Sequence, residues 1–422
     1  MGHVKTVRDA RGLALGVLRE LARSSEARAS EVLSRSLDGA AALDPRDRAL
    51  ATELVYGVLR WRRRIDHGLA PFVARGMESL EPAARELLRI GAYQVRFLDR
   101  IPREIAVSAT QDTARSVGLG RLTGFLNAVL RKVAGTAESL PAGDDDAAIG
   151  VRASLPDWIV GELRRAYGDA ACEREALALR ERARVVLRPN GTRGGREAVR
   201  AALASEGIPT AEGVAGSLVV ERGDAFQTAA WRDGRFVAQD PASIQAQLLV
   251  PAAGARVLDV CAGRGIKATA LAERGARVVA IDTSERKLAE LRALAGRLGV
   301  AAAIERAEAR DGTGDLSDLG EFDAVLVDAP CSGVGTLRRH PEIAWHRTPE
   351  DVRALTALQA GLVGSAARQV RVGGVLVYAV CSFLRAEGEI ALPSGFDQVE
   401  SLDVAPSSGL DAFQARRFVR RG

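Results

Sequence analysis

Val257-Leu-Asp-Val-Cys-Ala-Gly-Arg-Gly-Ile-Lys267 reads as a short apolar strand that breaks into a glycine turn and restarts as a helix. Glycine allows a tight turn and lets the backbone come close to a ligand at the head of a helix. The next apolar run, Val278-Val-Ala-Ile281, ends at Asp282, nineteen residues after Gly263, where a carboxylate can accept ribose hydroxyls. Two further runs, Ala324–Val327 and Val375–Val377, follow with helical stretches between them. Such βα alternation predicts a mostly parallel, doubly wound α/β sheet of Rossmann-like type from about Ser243 onward. The turn lacks the third glycine of G-x-G-x-x-G, with Ala268 and its neighbours following instead, which weakens a nicotinamide dehydrogenase. S-adenosylmethionine, an adenosine cofactor without a pyrophosphate, fits better. The plain alternative is a structural turn that holds no ligand.

Two cysteines end the later strands. Cys331 sits in Asp328-Ala-Pro-Cys-Ser-Gly333 and Cys381 in Tyr378-Ala-Val-Cys-Ser382. Chemistry in such a fold lies outside the carboxyl ends of the strands, so both thiols are aimed at one crevice. A thiolate there can add to an electron-poor ring and leave again. Asp328, also at a strand end, is an active-site candidate. Cys261 divides evenly between lining the cofactor pocket and filling space, and Cys172, in a charged helical stretch, is incidental.

Upstream, the apolar spacing from Val7 to about Lys132 is helical, with Leu13, Val17, Leu18 and Leu21 on one face and Leu50, Leu54, Val58 and Leu59 on another. Asp44-Pro45 and Glu81-Pro82 read as helix starts. An all-α domain over 1–134 follows. Residues 135–146, small and acidic, read as an exposed linker. A small α+β linking domain is expected over 148–245, with strands at Val185–Asn190, Leu218–Val220 and Phe236–Ala238, ahead of the catalytic domain over 246–422.

The 422 residues are 47% hydrophobic and 27% charged, an ordinary globular balance. No apolar run reaches the ~18 residues that span a bilayer, and Met1–Ala22 has no signal-peptide core, so a cytoplasmic protein without membrane association is expected. A net charge of +5, with clusters such as Arg60-Trp-Arg-Arg-Arg64 and Arg416-Arg417, favours a polyanionic partner, although arginine runs equally solvate helix faces. The four cysteines show no C-x-x-C spacing, so neither a disulfide framework nor a metal site is expected.

These residues resemble the Sun/Fmu branch of RNA (cytosine-5) methyltransferases, which modify 16S ribosomal RNA. Asp47-Arg-Ala-Leu-Ala-Thr-Glu-Leu-Val-Tyr-Gly-Val-Leu-Arg60 and Asn127–Arg131 look like that family's NusB-like RNA-binding domain. Gly234–Asp240 resembles the entry to its catalytic domain, Asp328–Gly333 with Arg339-His-Pro-Glu-Ile-Ala-Trp345 is the most specific match, and Asp411–Arg416 looks like a worn form of its terminal strand. The resemblance implies that Cys381 attacks C6 of cytosine, Asp328 holds the ring edge, and Cys331 assists proton removal from C5. It implies S-adenosylmethionine held by Cys261, Ala262, Gly263, Arg264, Gly265, Ile266 and Lys267, with Asp282 on the ribose, Lys287 where arginine is usual, Asp311 near the adenine and Asp328 alongside. A monomer acting on RNA, 16S ribosomal RNA in the first instance, is expected.

Departures from the family pattern stand out. Gly263, Arg264 and Ile266 replace the usual residues of Cys-Ala-Ala-Pro-Gly-Gly-Lys, and Ala379-Val380 remove a hydroxyl beside Cys381. Two rival readings follow: a non-catalytic RNA-binding member with a degenerate cofactor motif, or a methyltransferase for another substrate such as transfer RNA.

Overall fold

In the computed structural model, which describes residues 9–421, the chain divides into two compact units. Val7, where the helical pattern is read to begin, lies outside the described residues. The first unit runs to Glu181 and takes back Leu337–Arg347; the second holds Arg182–Thr336 and Thr348 onward.

Helices α1 (Ala10–Leu21), α2 (Ala29–Asp38), α3 (Pro45–Leu69), α4 (Pro82–Phe97), α5 (Arg103–Ser116) and α6 (Thr123–Gly135) build the first unit's core. Asp44 caps α3 by accepting from the Asp47 amide at 2.8 Å, with Pro45 in the first turn, where no amide proton is needed. The apolar stripes bury Leu13, Val17, Leu18, Leu21, Leu54, Val58, Leu87 and Leu130, whereas Leu50 and Phe125 are only partly covered. The segment before Asp146 is exposed but pinned, because Arg152 donates to the carbonyls of Pro141 and Gly143, each at 2.8 Å. Helices α7 (Asp146–Arg152), α8 (Asp157–Tyr167) and α9 (Asp169–Ala178) follow, with Cys172 fully buried and donating to the Val160 carbonyl.

The arginine cluster of α3 is absorbed within this unit. Arg60 donates to the Arg338 carbonyl at 3.0 Å, Arg63 to Leu155 and Asp157, and Arg64 to Glu138, while Arg62 lies over the Trp345 ring. The 337–347 segment is held in return: Trp345 donates to the Leu59 carbonyl at 2.7 Å and Glu342 accepts from the Ala29 amide at 3.1 Å. Trp345 is a packing residue.

The second unit contains two sheets. Strands β1 (Val186–Pro189), β2 (Thr210–Glu212), β3 (Leu218–Val220) and β4 (Phe236–Ala238) form an antiparallel sheet of order β2-β3-β1-β4, backed by α10 (Gly195–Ser205) and α11 (Ala229–Arg232). After α12 (Pro241–Leu248) come β5 (Arg256–Asp259), α13 (Ile266–Glu273), β6 (Arg277–Asp282), α14 (Glu285–Leu298), β7 (Ile304–Ala309), β8 (Phe322–Asp328), β9 (Val370–Val380), β10 (Phe396–Val404) and β11 (Phe413–Arg420). The seven strands lie in the order β10-β11-β9-β8-β5-β6-β7, parallel from β9 to β7 and antiparallel at β11 and β10. This is the expected Rossmann-like architecture. The sequence pattern does not show β2 in the small sheet, nor β7 and β10 in the large one, all three at sheet edges. The faces of β7 and β10 are largely exposed and charge-rich, so neither shows the continuous apolar run of a strand covered on both sides. Arg416 and Arg417, a cluster that reads equally as phosphate-binding or as solvating a face, pair with Asp403 and Glu400 of β10. No described helix is long and apolar enough to cross a membrane.

Arg89, 1% exposed, spans Asp66 at 2.7 and 2.8 Å and Glu86 at 2.5 Å inside the helical unit. Removing one member of a buried charge network strands the others. Arg89→Met is therefore expected to destabilise that unit by about 3–5 kcal/mol, read as a lower first transition in thermal unfolding.

Candidate active site

The parallel strands align the carboxyl ends of β5, β6, β8 and β9, and the winding direction reverses between β5 and β8. Ligands bind at such a switch point. Asp259 ends β5, Asp282 ends β6, Asp328 ends β8, and Cys381 follows β9 directly. Pairing of β8 with β9 sets Asp328 opposite Ala379, and the Ala329 amide donates to the Ala379 carbonyl at 2.9 Å. The turn after Asp328 then returns Cys331 to within 3.4 Å of Cys381, sulfur to sulfur. Both thiols are partly exposed and unoxidised. The hydrogen bond to Cys381, followed by burial and the charge of Cys381, pushes the Cys331 thiol well up.

Two side chains that the sequence reading did not assign to the site brace these loops. Glu387, 1% exposed, accepts from the Ser332 amide and hydroxyl, both at 2.6 Å, and its carbonyl accepts from the Tyr378 hydroxyl at 2.6 Å. Gln414 of β11 donates to the carbonyls of Ser382 and Leu384 at 2.9 and 3.0 Å. Their signal in the sequence is faint: Glu387 sits in a short charged segment, Arg385-Ala-Glu-Gly-Glu389, and Gln414 within Asp411–Arg416, and neither stands out from its neighbours. Gly335 donates to the Cys381 carbonyl at 3.1 Å, and a Cβ there would stand 2.0 Å from the Ala412 carbonyl oxygen.

On the other side of the switch point, Gly263 adopts φ +54° and donates its amide to Asp282 at 3.0 Å, while Gly265 adopts φ +83°. Both sit in the left-handed region that favours glycine. Asp282 also accepts from the Ser284 amide at 2.9 Å, and Lys287 reaches to 3.7 Å of it. Ala262 is buried, Ile266 packs onto the sheet core, and Arg264 turns to Glu290. Burial pushes the Cys261 thiol up, which suits a lining residue better than a nucleophile. Asp311 lies just beyond β7, exposed, its carboxylate accepting from the Thr313 amide and hydroxyl. Lys267, at the start of α13, pairs with Asp328, its ammonium 2.5 Å from Oδ2. Burial opposes that charge, but the Asp328 field and hydrogen bond outweigh it and hold Lys267 above its ordinary value.

Asp259 ends β5 directly ahead of the glycine turn. It is 1% exposed, and neither carboxylate oxygen accepts a hydrogen bond of ordinary geometry. Burial, and then the field of Asp328, push it up to about 7. An orphaned acid at the head of a glycine turn wants a cationic or donor partner. The donor set therefore fits S-adenosylmethionine: a carboxylate for its ammonium, glycine backbone for close approach, and Asp282 at the second strand end.

Residues 246–411 match the family described as 16S rRNA methyltransferase RsmB/F, and residues 8–135 match the NusB family. The ribosomal RNA small subunit methyltransferase B of Thermus thermophilus is 36% identical over 385 residues, covering 90% of this chain and 85% of that protein. The probable methyltransferase B of Bacillus subtilis is 31% identical over 93% of this chain and 90% of its own length. The chain belongs to the RsmB/F family.

As a member of that family it is an RNA methyltransferase, as the sequence motifs led one to expect, with a NusB-like helical region ahead of the Rossmann-like sheet. The fold also matches the crystal structure of PH0851, at a TM-score of 0.80 and 20% identity over 99% of this chain and 100% of that one. It matches NSun6 from Pyrococcus horikoshii, solved with SFG, at a TM-score of 0.56 and 18% identity over 63% of this chain and 98% of that one.

Two outcomes follow for an RsmB/F chain built this way. Gly335→Ala is expected to destabilise the catalytic unit by about 1–3 kcal/mol, because carbonyl backbone rather than a movable side chain meets the new methyl. For Asp259, the folded state keeps a proton that the unfolded chain releases near pH 4, so stability without cofactor falls as pH rises from about 4 to about 7. Asp259→Asn should flatten that dependence and raise the thermal midpoint at pH 8 while weakening S-adenosylmethionine binding. A midpoint unchanged at pH 8 would place the burden elsewhere.

Proposed function

We propose that this protein transfers a methyl group from S-adenosylmethionine to C5 of a cytosine in 16S ribosomal RNA through a covalent bond between Cys381 and C6. The observation that carries the reading is the meeting of the two thiols, 3.4 Å apart, at the strand ends that also present Asp328 and Lys267. N- and O-methyl transfer need no covalent adduct and no such pair. Names of relatives point to the small-subunit RNA, and NSun6 was solved with SFG, an S-adenosylmethionine analogue.

Asp259 and the Cys261–Lys267 turn would hold the methionine end, Asp282 with Lys287 the ribose, and Asp311 the adenine side. When bound, S-adenosylmethionine supplies an electrophilic methyl group on a sulfonium. The target base must leave its stack to reach the pocket, which favours single-stranded or remodelled RNA. Cys381, as thiolate, adds to C6 and sends an electron pair toward C5 and the N3–O2 edge. Asp328 accepts the exocyclic amine, and the Lys267 ammonium beside it offsets charge developing on the ring. After C5 is methylated its proton must leave, so that the C–H electron pair re-forms the C5=C6 double bond and expels the Cys381 thiolate from C6. Cys331 serves here. Once Cys381 is bonded to carbon, its hydrogen bond to Cys331 and its charge are gone, which eases loss of the Cys331 proton to solvent against the burial and Glu387 charge that remain, and the resulting thiolate takes the C5 proton.

A monomer in the cytoplasm is the setting proposed for this chemistry, with residues 1–134 as the NusB-like RNA-binding domain, 148–245 as the linking domain and 246–422 as the catalytic domain.

The test is a Cys331→Ala variant incubated with S-adenosylmethionine and unmodified 16S RNA, then resolved on a denaturing gel. A shifted protein–RNA band is expected, and it should vanish when Cys381 is also replaced. Cys381→Ala alone should reduce methyl transfer to background with RNA binding nearly intact; activity retained in that variant contradicts the assignment.

A further inference from the structure

The arginine clusters visible in the sequence are used up by internal partners, but four arginines from three separate segments converge on one cavity with donors that internal partners leave over. Arg193, Arg232, Arg235 and Arg297, with Asp233, line an open cavity of about 400 Å³ in the second unit. Arg193 is exposed and makes no side-chain hydrogen bond or ion pair among the described residues. Arg235 has only a 3.6 Å approach to Asp233. Arg232 spends one nitrogen on the Gln227 carbonyl. Arg297 stacks 3.7 Å from the Trp231 ring centroid and donates to the Trp231 carbonyl at 2.7 Å, yet its Nη2 is buried without an acceptor.

The cluster is built rather than incidental. Asn190, fully buried, donates to the carbonyls of both Gly234 and Leu298 at 2.9 Å and accepts from the Thr192 amide and hydroxyl. One side chain thus ties together the turn bearing Arg193, the turn bearing Arg232 and Arg235, and the end of α14 bearing Arg297. Gly234, at φ +69°, lies against the Arg297 carbonyl so closely that a Cβ would stand 2.0 Å from it. Four guanidiniums facing one carboxylate repel one another, and planar guanidinium forks match phosphate oxygens.

We propose that this cavity binds a backbone phosphate of the RNA substrate and acts as an anchor remote from the chemistry. The assignment rests on the RNA substrate proposed above. Helix α14 starts just after Asp282, at the catalytic end of the sheet, and ends at the cavity fourteen residues later, roughly 20 Å away at 1.5 Å per residue. An anchor at that distance contributes binding and leaves the methyl-transfer step alone.

The experiment uses the full chain with a 16S RNA fragment, measuring affinity across a salt series and methylation kinetics side by side. Arg193→Ala combined with Arg235→Ala should weaken RNA binding about tenfold, raise KM without changing kcat, and make the salt dependence shallower by about one. Asp233→Asn, which removes the one carboxylate, should tighten binding. Unchanged affinity and salt slope in both variants would overturn the assignment. So would inorganic phosphate or a mononucleotide titrating the cavity in wild type while RNA affinity ignores every variant, since that marks a free-phosphate site. Because affinity is read without turnover, a wild-type protein that binds RNA but forms no 5-methylcytosine would sink the proposed reaction and leave this test intact.

Discussion

The hydrogen-bonded pairing of β8 with β9 is the constraint on which the site depends. It places Asp328 beside Ala379, and from that register the short turn through Pro330 can return one thiol to the other. A slip of one residue would turn every side chain of a strand to the opposite face and separate the pair. The register is guarded by burial on both faces of these strands, and by Glu387, Gln414 and Gly335, which fix the loops beyond their ends. The thiols themselves contribute little to the fold. Their meeting is a consequence of the backbone and its bracing.

The same crevice sorts its charges by environment. Asp328 has a lysine and is partly exposed, Asp282 has two backbone amides, and Asp259 has no hydrogen bond of ordinary geometry and carries the burial penalty. Three carboxylates at three neighbouring strand ends are thereby given different tasks. The departures from the usual cofactor motif are accommodated locally: Ile266 packs on the core and Arg264 turns outward to Glu290, leaving the backbone of Gly263 and Gly265 in the turn that the motif requires.

Much of this was legible in the sequence because buried parallel strands write continuous apolar runs, and the four central strands and both cysteines stood in such runs. The edge strands β7 and β10 were not legible, since exposed strands carry the same polar residues as loops. Local clustering misled about charge. Arg60–Arg64 and Arg416–Arg417 look like phosphate-binding runs, yet each meets acceptors that only the fold supplies. The arginines left over span residues 193 to 297 and become neighbours only through Asn190 and the end of α14. Asp259 hid for a related reason: an aspartate at a strand end looks ordinary until its lack of partners is seen.

The central claim is that Cys381, and not Cys331, bonds to the base. The most direct measurement is to incubate wild-type protein and S-adenosylmethionine with RNA carrying 5-fluorocytosine, digest the complex and map the cross-linked peptide by mass spectrometry. Fluorine cannot leave as a proton does, so the adduct should persist and the nucleotide should be found on Cys381. A nucleotide on Cys331, or no covalent complex with an RNA whose normal counterpart is methylated, would contradict the account.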